Sequence, residues 1–470
     1  MASKNRWFMP TNTDNLRMII AQGLISSPNG FKKYYADVLE LFPGYIPLFR
    51  NRVQADILSS VTSEVEGLTP CIIEFDIKKI EGLAKTISDS QLVDVCLKDI
   101  DKENSDLLLL LAPIPLSCIS KVIFKTIADK KAFDDDAELY SNVPINTLKL
   151  HYTKIDQKLF EAKPDMTDYL ISKLKSMDFN LTNIIDYNKI YAFGGMLANM
   201  FYFSKNGTKS NEAFLSCSLD KKVLDNDDYS YIINYFDGSK KLDSGNPLYN
   251  SIVDIAVKSK DFKEEIIEFL ESDSKTLNIA NKLKSFEAIS DKPVSEEFSE
   301  AKTLLGKVLL MLFHRENTEA LMEYSLDIFT EEDYLTFAVI FGIRDKFIKV
   351  PKFVREFRDL QNFISVKMAN YAHENLNSQI KFKESRQPLT IMNMLKNDRF
   401  KGYFAKELKI ENCFQTVIPK SDYHVVKGKP IFEGIVMPKF EILEDKYFKF
   451  ISTQISTDYN KYLDKYNRVK

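Results

Sequence analysis

The sequence predicts a helix-rich protein of mixed α and β structure in three regions, and three observations carry that prediction. The 470 residues suffice for about three domains at the usual size of roughly 150 residues each. Glycine and proline are scarce, at 15 and 16 residues, so tight turns are few and long helices are favoured over a many-stranded sandwich. The apolar pattern also changes along the chain. Short apolar runs alternate with amphipathic stretches at first, helical spacing then dominates, and strand-like runs mixed with basic residues follow. We therefore expect an N-terminal α/β domain over 1–165, a large all-helical domain over 166–375 and a small basic mixed α+β domain over 376–470.

In the first region, Thr11 or Thr13 can cap a helix that carries Leu16, Ile19 and Ile20 and stops at Gly23, a residue suited to a left-handed C-terminal cap. A second helix, Phe31 to Leu41, ends at Pro43-Gly44. It leads into a strand, Tyr45 to Phe49, whose Pro47 assigns it to a sheet edge or a strand start. Residues 71–77, 106–111 and 120–125 read as further strands. The middle region gives helices near 167–177, 188–204, 228–236, 247–258, 261–271, 296–314, 316–328, 331–343 and 352–374. Gly194-Gly195 sits inside one of them with no Lys-Ser or Lys-Thr after it, which points to close helix packing or a kink rather than a phosphate loop. The last region has strand-like runs at 414–418, 423–426 and 431–436, and a closing aromatic helix that includes Tyr447, Phe450 and Tyr459.

Five cysteines, far apart and without a C-x-x-C pair, give neither a disulfide framework nor a zinc ribbon. No apolar stretch approaches the ~18 residues of a membrane span, and no signal or lipidation motif is legible, so the expectation is a cytoplasmic protein without a membrane partner. H-E-x-x-H and G-x-S-x-G motifs are absent. His314 and His373 fall at helix ends, where capping is their ordinary use. The net charge of −3 is unevenly spread: −1 over 1–210, −12 over 211–340 and +10 over 341–470. Opposed fields of that size suit a partner subunit, a nucleic acid or contact with each other.

Three constellations are candidates for function. The opening Trp7-Phe8-Met9-Pro10-Thr11-Asn12-Thr13-Asp14-Asn15-Leu16, followed by Ile19-Ile20-Ala21-Gln22-Gly23-Leu24, loosely resembles the entry segment of DNA-targeting ADP-ribosyltransferase toxins. Asp106 to Leu111 followed by Pro113 to Ile119 has the outline of the family's catalytic strand and the segment after it. The resemblance covers residues 7–125 and implies that fold, with an entry segment that holds the nicotinamide riboside part of NAD. It also sets Met9 at the family's histidine and Asp106 nearest its catalytic acid, and a thioether cannot hydrogen-bond a ribose hydroxyl.

Glu74-Phe75-Asp76-Ile77-Lys78 is the second candidate. Strand alternation would set Glu74, Asp76 and Lys78 on one face, as in a Mg²⁺-dependent nuclease with a D/E-x-K strand, or on any half-exposed strand.

The third is basic. Lys349, Lys352, Arg355 and Arg358 recur every three residues beside an apolar stripe of Phe353, Phe357, Leu360 and Ile364. Lys381, Lys383, Arg386, Lys396, Arg399, Lys401, Lys406 and Lys409 are interleaved with Phe382, Phe400, Tyr403 and Phe404, a mixture suited to phosphate contact and base stacking. A solvated face, or docking onto the acidic 211–340 block, is the plain alternative.

The reading these patterns favour is a non-catalytic subunit of a bacterial intracellular assembly, in a setting such as phage defence. It would bind other proteins and, through residues 341–470, DNA or RNA, and it calls for no cofactor. The alternative is an enzyme in the N-terminal domain, either an ADP-ribosyltransferase using NAD or a nuclease using Mg²⁺.

Overall fold

The computed structural model describes residues 5–26, 44–53, 58, 61, 68–88, 91–101, 106–139, 152–161, 185–205, 236, 246–289, 304–314, 334–347 and 358–384. The chain divides into two units, Met1–Leu389 and Thr390–Lys470, and every described residue lies in the first. Mixed α and β structure is present as expected. Twelve strands and nine α-helices occur among the described residues.

The strands are β1 (Trp7–Asn12), β2 (Leu24–Ile25), β3 (Tyr45–Arg50), β4 (Pro70–Phe75), β5 (Ile80–Glu81), β6 (Leu83–Ser88), β7 (Gln91–Cys96), β8 (Leu107–Leu111), β9 (Ile114–Pro115), β10 (Ile119–Phe124), β11 (Tyr152–Ile155) and β12 (Lys381–Phe382). Eight of them form one sheet in the order β11-β10-β4-β1-β3-β8-β6-β7. All its pairings are antiparallel except β10 with β11. Two small ladders, β2 with β9 and β5 with β12, stand apart from it.

Pro47 does not place β3 at the edge of the sheet, because β3 lies between β1 and β8. The requirement behind the expectation is still met locally. β1 pairs with β3 only through Trp7↔Arg50 and Phe8↔Phe49, so at Pro47 the strand has one neighbour, β8. Pro10 stands in the matching stretch of β1, paired only with Ile72 of β4. With no N–H to give, the two prolines leave the sheet split along this line.

Helix α1 (Thr13–Gln22) follows β1 directly. Asn12, not a threonine, is its N-cap: its Oδ1 accepts the Asn15 N–H at 2.9 Å while its Nδ2 donates to the Val61 carbonyl at 2.9 Å. Gly23, at φ +73°, closes the helix as expected. A Cβ there would also meet the Phe347 ring at 2.2 Å.

The other helices are α2 (Ile127–Leu139), α3 (Tyr187–Lys205), α4 (Pro247–Lys258), α5 (Phe262–Glu271), α6 (Leu277–Ile289), α7 (Leu304–Phe313), α8 (Tyr334–Asp345) and α9 (Arg358–Asn375). α3 crosses α8 with backbone against backbone, as Gly194-Gly195 suggested: a Cβ on Gly195 would lie 2.6 Å from the Gly342 carbonyl oxygen. A Cβ on Gly342 would lie 2.2 Å from the Met196 nitrogen. α9 packs on α3 and on the β2–β9 ladder, so the helical layer is fastened to the strands. None of the described helices is long and apolar enough to cross a membrane. The helices expected at 31–41, 167–177 and 316–328, and everything expected beyond residue 384, fall outside the described residues, as does 228–235.

Candidate ligand-binding cleft

Three neighbouring strands end together. β1 begins at Trp7, β4 ends at Phe75 and β10 begins at Ile119, with Trp7 and Ile119 both opposite Phe75. A cleft of about 550 Å³ opens there, lined by Asn5, Arg6, Trp7, Glu74 to Lys78, Ile80, Glu81, the 97–101 turn, Ser120, Lys121 and Lys383.

Its inner wall follows from strand register. Phe8 and Lys121 lie opposite Glu74, and opposite residues share a face, so Arg6, two positions before Phe8, joins them. The Arg6 guanidinium lies 4.7 Å above the Phe8 ring centroid. It holds Glu74 in two places, Nε to Oε1 at 3.2 Å and Nη2 to Oε2 at 2.7 Å. Lys121 Nζ adds a contact to Oε2 at 3.5 Å. Burial works against the Glu74 charge, but the hydrogen bonds and charge of Arg6, with Lys121 behind them, outweigh it and hold the carboxyl below its ordinary range.

The strand expected over 71–77 stops at Phe75, and this corrects the one-face reading of Glu74, Asp76 and Lys78. Asp76 donates its N–H to the Cys118 carbonyl at 2.8 Å and accepts the Lys79 N–H at 3.1 Å, which turns Ile77–Lys79 into a 3-10 helix. The three side chains still meet in the cleft, by way of a turn rather than a pleat. Glu74 has both oxygens engaged by cations, and no group of three or more His, Cys, Asp or Glu able to hold a metal occurs among the described residues. A Mg²⁺ seat built on Glu74 does not fit this arrangement.

The outer rim comes from a distant part of the sequence. β12 pairs with β5, Lys381 opposite Glu81 and Phe382 opposite Ile80. Asn370 clamps the Phe382 backbone, accepting its N–H at 2.9 Å and donating to its carbonyl at 3.1 Å. Gly82, at φ +115°, lets the two segments close, since a Cβ would lie 2.3 Å from the Gln379 oxygen. Lys383 Nζ then lies 3.0 Å from Glu81 Oε1 and donates to the Lys78 carbonyl at 3.1 Å. The Lys383 hydrogen bond and charge, with Lys98 at longer range, hold the Glu81 carboxyl low. Lys78 and Lys98 are exposed and have no carboxylate within 4.0 Å among the described residues.

The remaining expected residues lie elsewhere. Met9 is 1% exposed in mid-strand opposite Ile73. Asp106 is exposed just before β8, its carbonyl accepting the Arg50 N–H at 3.0 Å. Arg358 opens α9, Lys381 is exposed, and Lys383 turns toward its own protein's Glu81. Lys349, Lys352, Arg355, Arg386, Lys396, Arg399, Lys401 and Lys406 are outside the described residues. Sequence reasoning missed Arg6, Lys98 and Lys121, since only pairing brings them together. His373 is buried, and its Nε2 donates to the Pro113 carbonyl at 3.0 Å; burial lowers its pKa to about 4, against that hydrogen bond. Cys71 and Cys118 are buried free thiols, and burial pushes Cys118 up to about 12.

No family model matches the chain, and no curated protein matches it. Among solved structures, the chain is similar to Thermus sp. 2.9 DarT in complex with carba-NAD⁺ (TM-score 0.25) and in complex with NAD⁺ (TM-score 0.26). In both cases the identity is 8%, over 33% of this chain and 97% of that one. The likeness to DarT is a distant one.

Proposed function

We propose that the protein acts by binding, as a non-catalytic subunit of a bacterial assembly that engages a nucleic acid through its basic C-terminal stretch. One observation carries this reading: the β5–β12 pairing sets Lys381 and Lys383, two cations of that stretch, beside a cleft that already presents Arg6, Lys78, Lys98 and Lys121. Cationic groups from both ends of the unit thus line one cleft, the arrangement phosphate contact calls for. Full-length protein should retain labelled DNA or RNA with an affinity that falls steeply between ~50 and ~200 mM salt, and Lys381→Glu should flatten that dependence. Retention that ignores salt, or no retention at all, overturns the reading. Co-purification would identify protein partners of the assembly.

A second reading has its own support. In the segment that resembles a nicotinamide-riboside entry, Thr11 Oγ1 and both polar atoms of the Asn15 side chain are buried without hydrogen-bond partners. Both residues are 0% exposed, so a polar ligand such as NAD would reach these groups only on opening of the segment, while Met9 offers no donor and Asp106 stands exposed ahead of β8. The reading is therefore of NAD binding without ADP-ribosyl transfer. A thermal shift that rises with NAD concentration supports it, and an unmoved melting temperature at millimolar NAD rejects it.

A further inference from the structure

We propose that the cleft at the β1–β4–β10 end is a nucleotide site that recognises a 5′-phosphate monoester, supplied by a free mononucleotide or by the phosphorylated end of a strand. The strand-end source rests on the nucleic-acid reading above; the free-nucleotide source does not.

Three features of the lining match three parts of such a ligand. Lys78, Lys98 and Lys383 line the outer rim, where Lys383 pairs with Glu81 and Lys98 acts on it at longer range. Two of these three lysines have no carboxylate within 4.0 Å among the described residues, so their ammonium groups are available to a dianionic phosphate, and the cleft as a whole carries five cationic side chains against four carboxylates. Glu74 does not draw on these ammonium groups, because Arg6 and Lys121 already neutralise it, and Arg6 keeps guanidinium N–H groups beyond the two that Glu74 uses. Asp76 and Asp101 also line the cleft. Asp101 accepts from Asn5 Nδ2 at 3.1 Å and retains acceptor capacity, which serves ribose hydroxyls or a base amino group. Trp7, Phe75, Ile77, Ile80, Leu97 and Ile100 supply an apolar floor for a flat base. The volume of about 550 Å³ lies within the ordinary range of small-ligand pockets and is too small for a stretch of duplex.

The protein carries its own reporter, because Trp7 is the sole tryptophan and lines this cleft. Adenosine 5′-monophosphate added to the full chain should change Trp7 fluorescence saturably, and adenosine should do so with at least about tenfold weaker affinity. Lys78→Ala with Lys98→Ala, two exposed positions, should weaken the monophosphate by about tenfold or more and leave the melting temperature unchanged. A 5′-phosphorylated oligonucleotide should bind more tightly than its 5′-hydroxyl twin in the parent protein and equally in the double variant.

Equal binding of adenosine and its monophosphate, or a double variant that binds the monophosphate as well as the parent does, overturns the proposal. A monophosphate response with no difference between the two oligonucleotides identifies the free mononucleotide as the ligand. If no oligonucleotide is retained at all while the monophosphate binds, the nucleic-acid reading fails and the cleft assignment stands.

Discussion

The helical layer, where α9 packs on the strands and α3 crosses α8, and the cleft at the β1–β4–β10 end both contain buried polar groups, but they dispose of them differently. In the helical layer the partners are backbone. Ser365 Oγ donates to the Gly23 carbonyl at 2.5 Å and accepts the Leu116 N–H at 2.8 Å, His373 donates to the Pro113 carbonyl, and Gly195 meets Gly342 where a side chain would not fit. Polar atoms left over there, such as His373 Nδ1 and Gln361 Oε1, are buried acceptors rather than donors. In the cleft the charges ride on long side chains around open space, Glu74 is neutralised from within, and Lys78 and Lys98 are exposed at its lining. Binding capacity sits where donors remain to be used, and rigidity where they have been consumed.

The sharpest way to break this contrast is Gly342→Ala. The added Cβ would fall 2.2 Å from a backbone nitrogen that cannot move aside as a side chain can, so a loss of about 3 kcal/mol or more is expected in urea unfolding. Wild-type stability there would mean that the helices are not in contact at this point. Ser365→Ala leaves a buried carbonyl and a buried N–H without their partner and should cost about 2 kcal/mol, measured the same way.

Acid separates the two regions. His373 has a folded pKa lowered from 6.5 to about 4, so the unfolded chain takes up its proton first as pH falls. The stability of the neutral, buried ring is fully present above pH 6.5 and declines between there and about 4, by up to about 1.4 kcal/mol per pH unit. His373→Gln should flatten unfolding curves in that window. Glu74, held low, contributes fully above its unfolded value near 4.5 and is lost only as pH falls through its lowered value. Glu74→Gln should therefore cost least, about 1 kcal/mol at neutral pH, because Arg6 is partly exposed and can rehydrate. If Glu74→Gln destabilises more than Ser365→Ala, the cleft wall is structural like the helical layer.

Much of the framework was legible in the sequence, and the omissions have physical causes. α3, α4 and α5, the stop at Gly23 and the strands near 45, 71, 107 and 120 follow from spacing and punctuation. α2 was missed because, among its described side chains, Phe133 is the one buried apolar residue, yet its capping box was readable: Thr126 N–H to Asp129 Oδ2 at 2.9 Å and Asp129 N–H to Thr126 Oγ1 at 3.1 Å. The β6–β7 hairpin was missed because the inward positions of β6 are Ala84 and Thr86, which give almost no apolar signal. α6 was also missed. Glu74, Asp76 and Lys78 were read as neighbours and are neighbours, though a turn rather than a pleat brings them together.

Local chemistry, which side chains carry charge, which glycine can adopt a left-handed φ and which proline withholds a donor, was written in the chain and needed no third dimension. The company those groups keep was not. Lys383 reaches Glu81 across some three hundred residues, and Arg6 reaches Glu74 through a strand register, because both contacts depend on which segments burial drives together. That choice is made by the whole core at once, so the site had to wait for the fold.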